Sequence, residues 1–271
     1  MRKPEFWSNS GLQVSPHTAL EGLAIKILTL NMHKGFSVGN RRFVLHELRE
    51  AIREANADVV LLQEVLGAHQ EHSTRWERWP EHSQYEFLAD TLWPAYAYGK
   101  NAVYPAGHHG NALLSKYPIV HHQNHDVSVY DHEKRGLLHS VLEVPDWVQP
   151  LHVICVHLGL FEKHRQQQLT MLGALIEREV PAGAPLLVAG DFNDWCQRAH
   201  DVLADGAGLG EVFITAFGQD ARTFPVWLPL LRLDRVYVRN LHVEGPRRLV
   251  GKPWRRLSDH APLLLHKISP Q

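Results

Sequence analysis

Hydrophobic and polar positions first fall into a clear pattern over residues 24–31. There Ile25, Ile27, Thr29 and Asn31 alternate with Lys26, Leu28 and Leu30, the period-2 signature of a strand. Over 43–55 the spacing becomes helical, with Val44, Leu45, Leu48 and Ile52 on one face. Residues 58–63 are almost continuously apolar, which predicts a strand buried on both faces. A polar stretch over 66–84 reads as a long loop or irregular helix. Short strands are predicted over 95–104, 111–115, 119–129, 136–143 and 151–156. The best helix spans 162–180, with Leu169, Leu172, Leu175 and Ile176 on its buried side and Pro181 ending it. Strands resume at 186–189, 233–238 and 262–265. Residues 1–22, broken by Pro4, Pro16 and Gly22, read as a loose arm, and no repeat or linker divides the remainder. Many strands with few separating helices predict one α/β domain over 23–268, two packed sheets with helices outside.

Composition narrows the function. A chain of 271 residues with 44% hydrophobic and 21% charged positions is an ordinary globular protein, neither disordered nor collagen-like. Lys and Arg number 28 against 29 Asp and Glu, so the net charge of −1 carries no basic excess, and a polyanion would have to be met locally. Two cysteines, Cys155 and Cys196, make neither a disulfide framework nor a zinc knuckle. The first residues, Met1 to Trp7, lack the apolar run of a signal peptide or membrane span, and the expected location is the cytoplasm. No Gly-rich fingerprint follows the first strand, and neither a Walker-type loop nor a GxSxG elbow occurs. Twenty histidines invite a metal reading. His108-His109 could face a cleft, His121, His122 and His125 are expected on the wet face of a strand, and His69, His72 and His82 lie in the polar stretch.

Reactive groups of α/β scaffolds gather at strand ends. Here those ends carry Asn31, Glu64, His157, Asp191 with Asn193, and Asp259 with His260. A carboxylate closing so apolar a strand as Val59–Gln63 needs a partner or a cation, unless Glu64 merely caps a helix or turn. In Gly190-Asp191-Phe192-Asn193 the carboxylate and carboxamide can share one face while Phe192 anchors the turn; an Asx-turn is the plain alternative. Asp259-His260 joins a hard-cation ligand to a base, though such pairs also decorate surfaces.

In order along the chain, Asn31, Gln63-Glu64, Gly110-Asn111, His157-Leu158, Gly190-Asp191-Phe192-Asn193, Arg232-Leu233-Asp234 and Ser258-Asp259-His260 resemble the endonuclease/exonuclease/phosphatase superfamily, from about residue 24 to 266. Segments such as Asn31-Met32-His33-Lys34-Gly35-Phe36 look closest to a bacterial branch of it. The resemblance implies a DNase I-like four-layer α/β/β/α sandwich that uses Mg²⁺ or Mn²⁺ to hydrolyse a phosphoester. It implies Glu64 as principal metal ligand, with Asn31 and Asp259 as partners. Asp191 would prepare the attacking water, steadied by Asn193. His260 would face the phosphate with its ring held by Asp234, and His157 would contact the phosphate or assist the leaving group. Arg135, Asn111 and His109 are the weaker phosphate-contacting positions. Some nucleases carry an acid two residues after the first asparagine; here that residue is His33, so either His33 binds metal or a single cation is held.

Substrate signals diverge. Arg247, Arg248, Lys252, Arg255 and Arg256 beside Trp254 suit a nucleic-acid backbone. The run Phe224 to Leu231 is instead apolar: it either lies buried under a loop or meets a phospholipid surface or acyl chain. DNA is the expected substrate, and a phospholipid or lipid headgroup the second. A catalytically silent binding module on the same fold is the rival of another class. The enzyme is expected to act as a monomer without an obligate protein partner.

Overall fold

Alternation along the first strand is used on both of its faces. Ile25 and Ile27 enter one core, while Leu28 and Leu30 enter another. A computed structural model of the chain describes residues 23–69, 75–76, 78–90 and 92–271; the expected arm over 1–22 and His72 lie outside them. The first sheet is built from β1 (Ile25–Asn31), β2 (Val59–His69), β3 (Ala95–Tyr104) and β4 (Gly107–Ser115), with β11 (Leu241–Glu244), β12 (Arg247–Arg248) and β13 (Leu263–Pro270). Its order is β11-β13-β1-β2-β4-β3, with β12 paired to β13. The second holds β5 (Ile119–Asp126), β6 (Gly136–Leu142), β7 (Leu151–His157), β8 (Leu186–Asp191), β9 (Gly210–Glu211) and β10 (Asp234–Arg239), in the order β5-β6-β7-β8-β10-β9. Helices α1 (Leu45–Ala55) and α2 (Gln84–Ala89) cover the outer face of the first sheet, and α3 (Glu162–Glu179) that of the second. A short α4 (Val212–Phe217) follows β9.

Between the sheets lies the shared core, where Ile27, Val59, Leu61 and Leu113 meet Leu138, Val153, Cys155, Leu187 and Val236. The two outer cores sit under the helices, which makes four layers. This is the DNase I-like α/β sandwich. No helix among the described residues is long and apolar enough to cross a membrane.

Three sequence expectations change. The strand predicted to stop at Gln63 continues to His69, because β2 stays paired to β4 beyond a register shift between Leu62 and Val65. The polar stretch leads into α2, a helix the apolar spacing did not predict, which opens with a capping box: Ser83 accepts from the Glu86 amide and the Glu86 carboxylate accepts from the Ser83 amide. Third, His125 does not lie on a wet face. It stands opposite Leu137, whose side chain belongs to the core beneath α3, whereas His121 and His122 are exposed.

Candidate active site

The chemistry-bearing positions are set by two parallel pairs. In the first sheet β1 runs parallel to β2, pairing Asn31 with Gln63. In the second, β7 runs parallel to β8, and one rung carries Gly136, His157, Asp191 and Asp234 across four strands. The two strand ends meet through side chains 160 residues apart in the chain: the Asn31 amide donates to Asp191 Oδ2 at 3.0 Å. The same nitrogen approaches Glu64 Oε1 at 3.4 Å.

Local backbone conformation aims these groups. Glu64 stands in the left-handed region (φ 57°) at the β2 irregularity, so the chain turns its carboxylate toward Asn31 while Val65 returns to the core. Gly190 has φ 144°, and a Cβ there would fall 2.0 Å from the Val156 carbonyl oxygen. Only glycine lets β8 pass so close to β7 just before Asp191. Phe192 is fully buried and anchors the turn. Beyond it the Asn193 amide N–H donates to Asp191 Oδ1 at 2.9 Å, and the Asn193 carboxamide donates to the Leu158 carbonyl at 3.0 Å. The last segment is tied in by Ser258, whose hydroxyl donates to the Asn31 carbonyl and accepts from the His260 amide.

Asp191 therefore lies at the meeting point of two imidazoles. Its Oδ2 is 3.8 Å from His157 Nε2 and 3.8 Å from His260 Nε2. Burial raises the Asp191 carboxyl to about 7; His260 and the Asn31 and Asn193 hydrogen bonds oppose that rise, and Asp234 adds to it. For His260 burial works against the charged form, but the carboxylates of Asp234, Asp191 and Asp259 outweigh it and raise the ring to about 10. Its Nδ1 lies 2.8 Å from Asp234 Oδ2, so the protonated ring donates there and presents Nε2–H toward Asp191. His157 is pushed the other way, well below the ordinary value, by burial first and then by Arg135, His109 and His260. The site thus holds one charged and one neutral imidazole around a carboxyl whose proton is easily moved.

The remaining expected residues divide. His109 stays within electrostatic reach of Lys34, Glu64 and Arg135; burial lowers it to about 4, and its Nδ1 is buried without a hydrogen bond. Arg135 is half-buried, donating to the carbonyls of Leu158 and Lys134 and to Glu133 at 3.2 Å. Asn111 is fully buried and its amide donates to the carbonyls of Gly136 and Cys155, so it ties the first sheet to the second. His33 Nδ1 is 3.3 Å from Asp259 Oδ2, which makes it a neighbour that positions that carboxylate. Trp254 is corrected. It packs into the core under α1, so it is not an aromatic platform among the arginines.

Sequence reasoning passed over Gln84 and Arg235. Gln84, fully buried at the start of α2, accepts from the Leu66 amide and donates to the Lys34 carbonyl, holding the β2 irregularity and the loop after β1 together. The Ser83–Glu86 spacing was the signal that could have found this helix. Arg235 is fully buried between Asp220 (3.1 Å) and Asp194 (3.4 Å) and donates to the Asp194 carbonyl, bracing the loop that carries Asn193. Nothing local marks it, since Asp194 and Asp220 are distant in sequence.

Asp191 is thus a buried carboxylate set between two imidazoles where the ends of the two sheets meet. The chain belongs to the Endonuclease/Exonuclease/phosphatase family, whose profile matches residues 28–260. The uncharacterised protein YbhP of Escherichia coli K12 is 58% identical over 240 residues, covering 89% of this chain and 94% of that one. An endonuclease/exonuclease/phosphatase from Beutenbergia cavernae has a similar structure, with TM-score 0.74 at 19% identity over 91% of this chain and 72% of the other. So has D. rerio TDP2 complexed with single-strand DNA product, with TM-score 0.64 at 18% identity over 91% and 99%. At those identities the structural likeness concerns the fold. Membership of the family supports phosphoester hydrolysis as the activity.

Proposed function

We propose that the chain is a divalent-metal-dependent phosphodiesterase. The observation that carries this is Asp191 Oδ2 held at equal distance from a neutral His157 and a charged His260, with Asn31 linking it to the Glu64 carboxylate. Asn31, Glu64 and Asp259 fit a hard cation. Glu64 has only a long contact from Asn31, and Asp259 has two long ones, from His33 at 3.3 Å and from the Ser258 hydroxyl at 3.4 Å, so their oxygens keep lone pairs for an ion. Asp191, Asp234 and His260 also lie within 4.8 Å of one another, but Asp234 and His260 satisfy each other at 2.8 Å and work as a pair. Bound by Glu64, Mg²⁺ or Mn²⁺ would polarise a phosphoryl oxygen and offset the charge that builds there. Asp191, oriented by Asn193 and Asn31, accepts a proton from the attacking water. The His260 imidazolium, locked by Asp234, donates where negative charge grows, and neutral His157 contacts the phosphate or the departing oxygen.

On substrate, the exposed surface beside the site favours a phospholipid or other amphiphilic phosphodiester. Trp227, Leu228, Leu230 and Leu231 are 55, 50, 58 and 40% exposed. Their loop is fastened to the site: the Val226 amide donates to the Asp259 carbonyl, and the Phe224 ring stands 4.9 Å from the His260 ring. Just past His157, Leu160 and Phe161 are exposed as well. Polar chemistry flanked by apolar groups suits a headgroup entering from a lipid surface. DNA is the second reading, supported by the fold shared with a DNA-bound protein and by exposed rings of Phe161 and Trp195 on which bases could stack.

A panel with Mg²⁺ and Mn²⁺ tests both, comparing phospholipid vesicles, inositol phosphates, plasmid, abasic oligonucleotide and bis-p-nitrophenyl phosphate. Turnover of vesicles above DNA, abolished by chelation and restored by Mg²⁺ or Mn²⁺, is expected. Glu64→Gln should raise the metal requirement sharply. Full turnover in excess chelator would remove the metal mechanism. DNA cleavage without lipid turnover would select the second substrate, and inactivity throughout would leave a binding module.

A further inference from the structure

The histidines outside the cleft are not scattered. Leu138 and Leu142 of β6 point into the inter-sheet core, so His139 between them faces α3. His125 of β5 faces the same way, and Glu179 in the last turn of α3 comes down onto both. Glu179 Oε2 is 3.3 Å from His125 Nε2 and 3.3 Å from His139 Nδ1, and the three atoms all lie within 4.8 Å of one another. The other carboxylate oxygen is held by Arg178 at 2.7 Å, which leaves Oε2 to the two rings.

We propose that His125, His139 and Glu179 form a second metal site, for a borderline first-row cation of the zinc class, that fastens edge strand β5 to helix α3 on the face opposite the cleft.

Three observations support it. First, an N–H···O hydrogen bond normally spans about 2.7–3.2 Å. A tetrahedral ion with bonds of about 2.0–2.1 Å sets neighbouring ligand atoms roughly 3.3–3.4 Å apart. Both nitrogen–oxygen separations, 3.3 Å, fit the second geometry, and the His139–Glu179 pair is also within hydrogen-bond reach when Nδ1 carries the proton. Second, His125 Nε2 is buried without a hydrogen bond, although it faces the carboxylate. Third, His139 is backed in the manner of a metal ligand. Its Nε2 is 3.0 Å from His152 Nδ1, and when Nε2–H donates there the Nδ1 lone pair points to the centre. Two imidazoles and one carboxylate select zinc-like ions over Mg²⁺, which prefers oxygen alone. His125 and Glu179 remain 15 and 24% exposed, giving an ion entry and water a place to complete the coordination. The site is independent of the cleft. His139 pairs with Ile154, three residues before His157, so about 10 Å of strand and the thickness of the sheet separate them.

The test uses the full chain, stripped with chelator and dialysed against Zn²⁺ under a large excess of Mg²⁺ that occupies the hard-cation site. Bound zinc is counted by elemental analysis, Co²⁺ is substituted for its visible spectrum, and melting is followed with and without Zn²⁺. Wild type and Asp191→Asn should each hold one zinc at this site and melt higher with it. His125→Ala and Glu179→Gln should lose that zinc by at least about 100-fold in affinity and lose the melting shift, while keeping the wild-type circular dichroism. His152→Ala, which removes only the backing group, should weaken zinc by about 10–100-fold. Unchanged zinc affinity in both His125→Ala and Glu179→Gln would overturn the proposal. So would loss of zinc in Asp191→Asn alone, or no zinc bound by wild type.

Discussion

At the scale of single residues, the behaviour of the site turns on which proton sits where. Asp234 and His260 form one unit, because the carboxylate fixes the ring's orientation and keeps it charged. His260→Ala should lower turnover by at least about 10²-fold. Asp234→Asn should cost a similar factor, and the double variant should lose little beyond the worse single one, since residues acting together are not additive. Steady-state kinetics of the four proteins checks this; additive losses would mean the two act separately. The same shifts affect stability in a defined direction. Asp191 in the folded protein keeps its proton from about 3.8 up to about 7, and His260 keeps its own from about 6.5 up to about 10. In both windows the folded state binds more protons than the unfolded chain, so stability falls as pH rises through each. The melting temperature of the metal-free protein should therefore decline between pH 7 and pH 10, and His260→Ala should flatten that decline.

Among the elements, α2 shows how a six-residue helix can govern a distant strand. Its capping box is local and exposed, but Gln84 reaches from the first turn to both β2 and the loop after β1. Ser83→Ala should cost about 1 kcal/mol of unfolding free energy, the usual worth of an N-cap. Gln84→Ala should cost more, at least about 2 kcal/mol, because it leaves the buried Leu66 N–H and the part-buried Lys34 C=O unpaired. Urea unfolding of both variants measures the difference. Gln84→Ala should also reduce activity more than Ser83→Ala, since Glu64 depends on the irregularity that Gln84 supports.

Across the whole molecule, two buried polar ties register the layers around the site. Asn111 crosses from the first sheet to the second. Arg235 joins β10 to the loops bearing Asp194 and Asp220. Replacing Arg235 by Met would leave two buried carboxylates facing each other without a cation. A loss of about 3–5 kcal/mol is expected, the scale for breaking a buried ion pair by removing one partner. Denaturant midpoints test it, and Arg235→Lys should recover part of the loss.

Much of this was legible in the amino-acid sequence. Period-2 and helical spacing determined β1, β3, α1 and α3 to within a few residues, because which face of an element is apolar is a local property. The strand-end placement of Asn31, His157, Asp191 and His260 was also local. Tertiary structure alone decided where the polar ends point. Asn31 meets Asp191 because two sheets pack face to face; Glu64 turns inward because β2 slips register and carries on. Asn111 found carbonyl partners on the other sheet, and Trp254 was drawn into a core. His125 looked solvated in its own strand and became half-buried only when α3 brought Glu179 over it. Apolar pattern is encoded residue by residue, but the partner of a buried polar group comes from across the fold, and no local period records it.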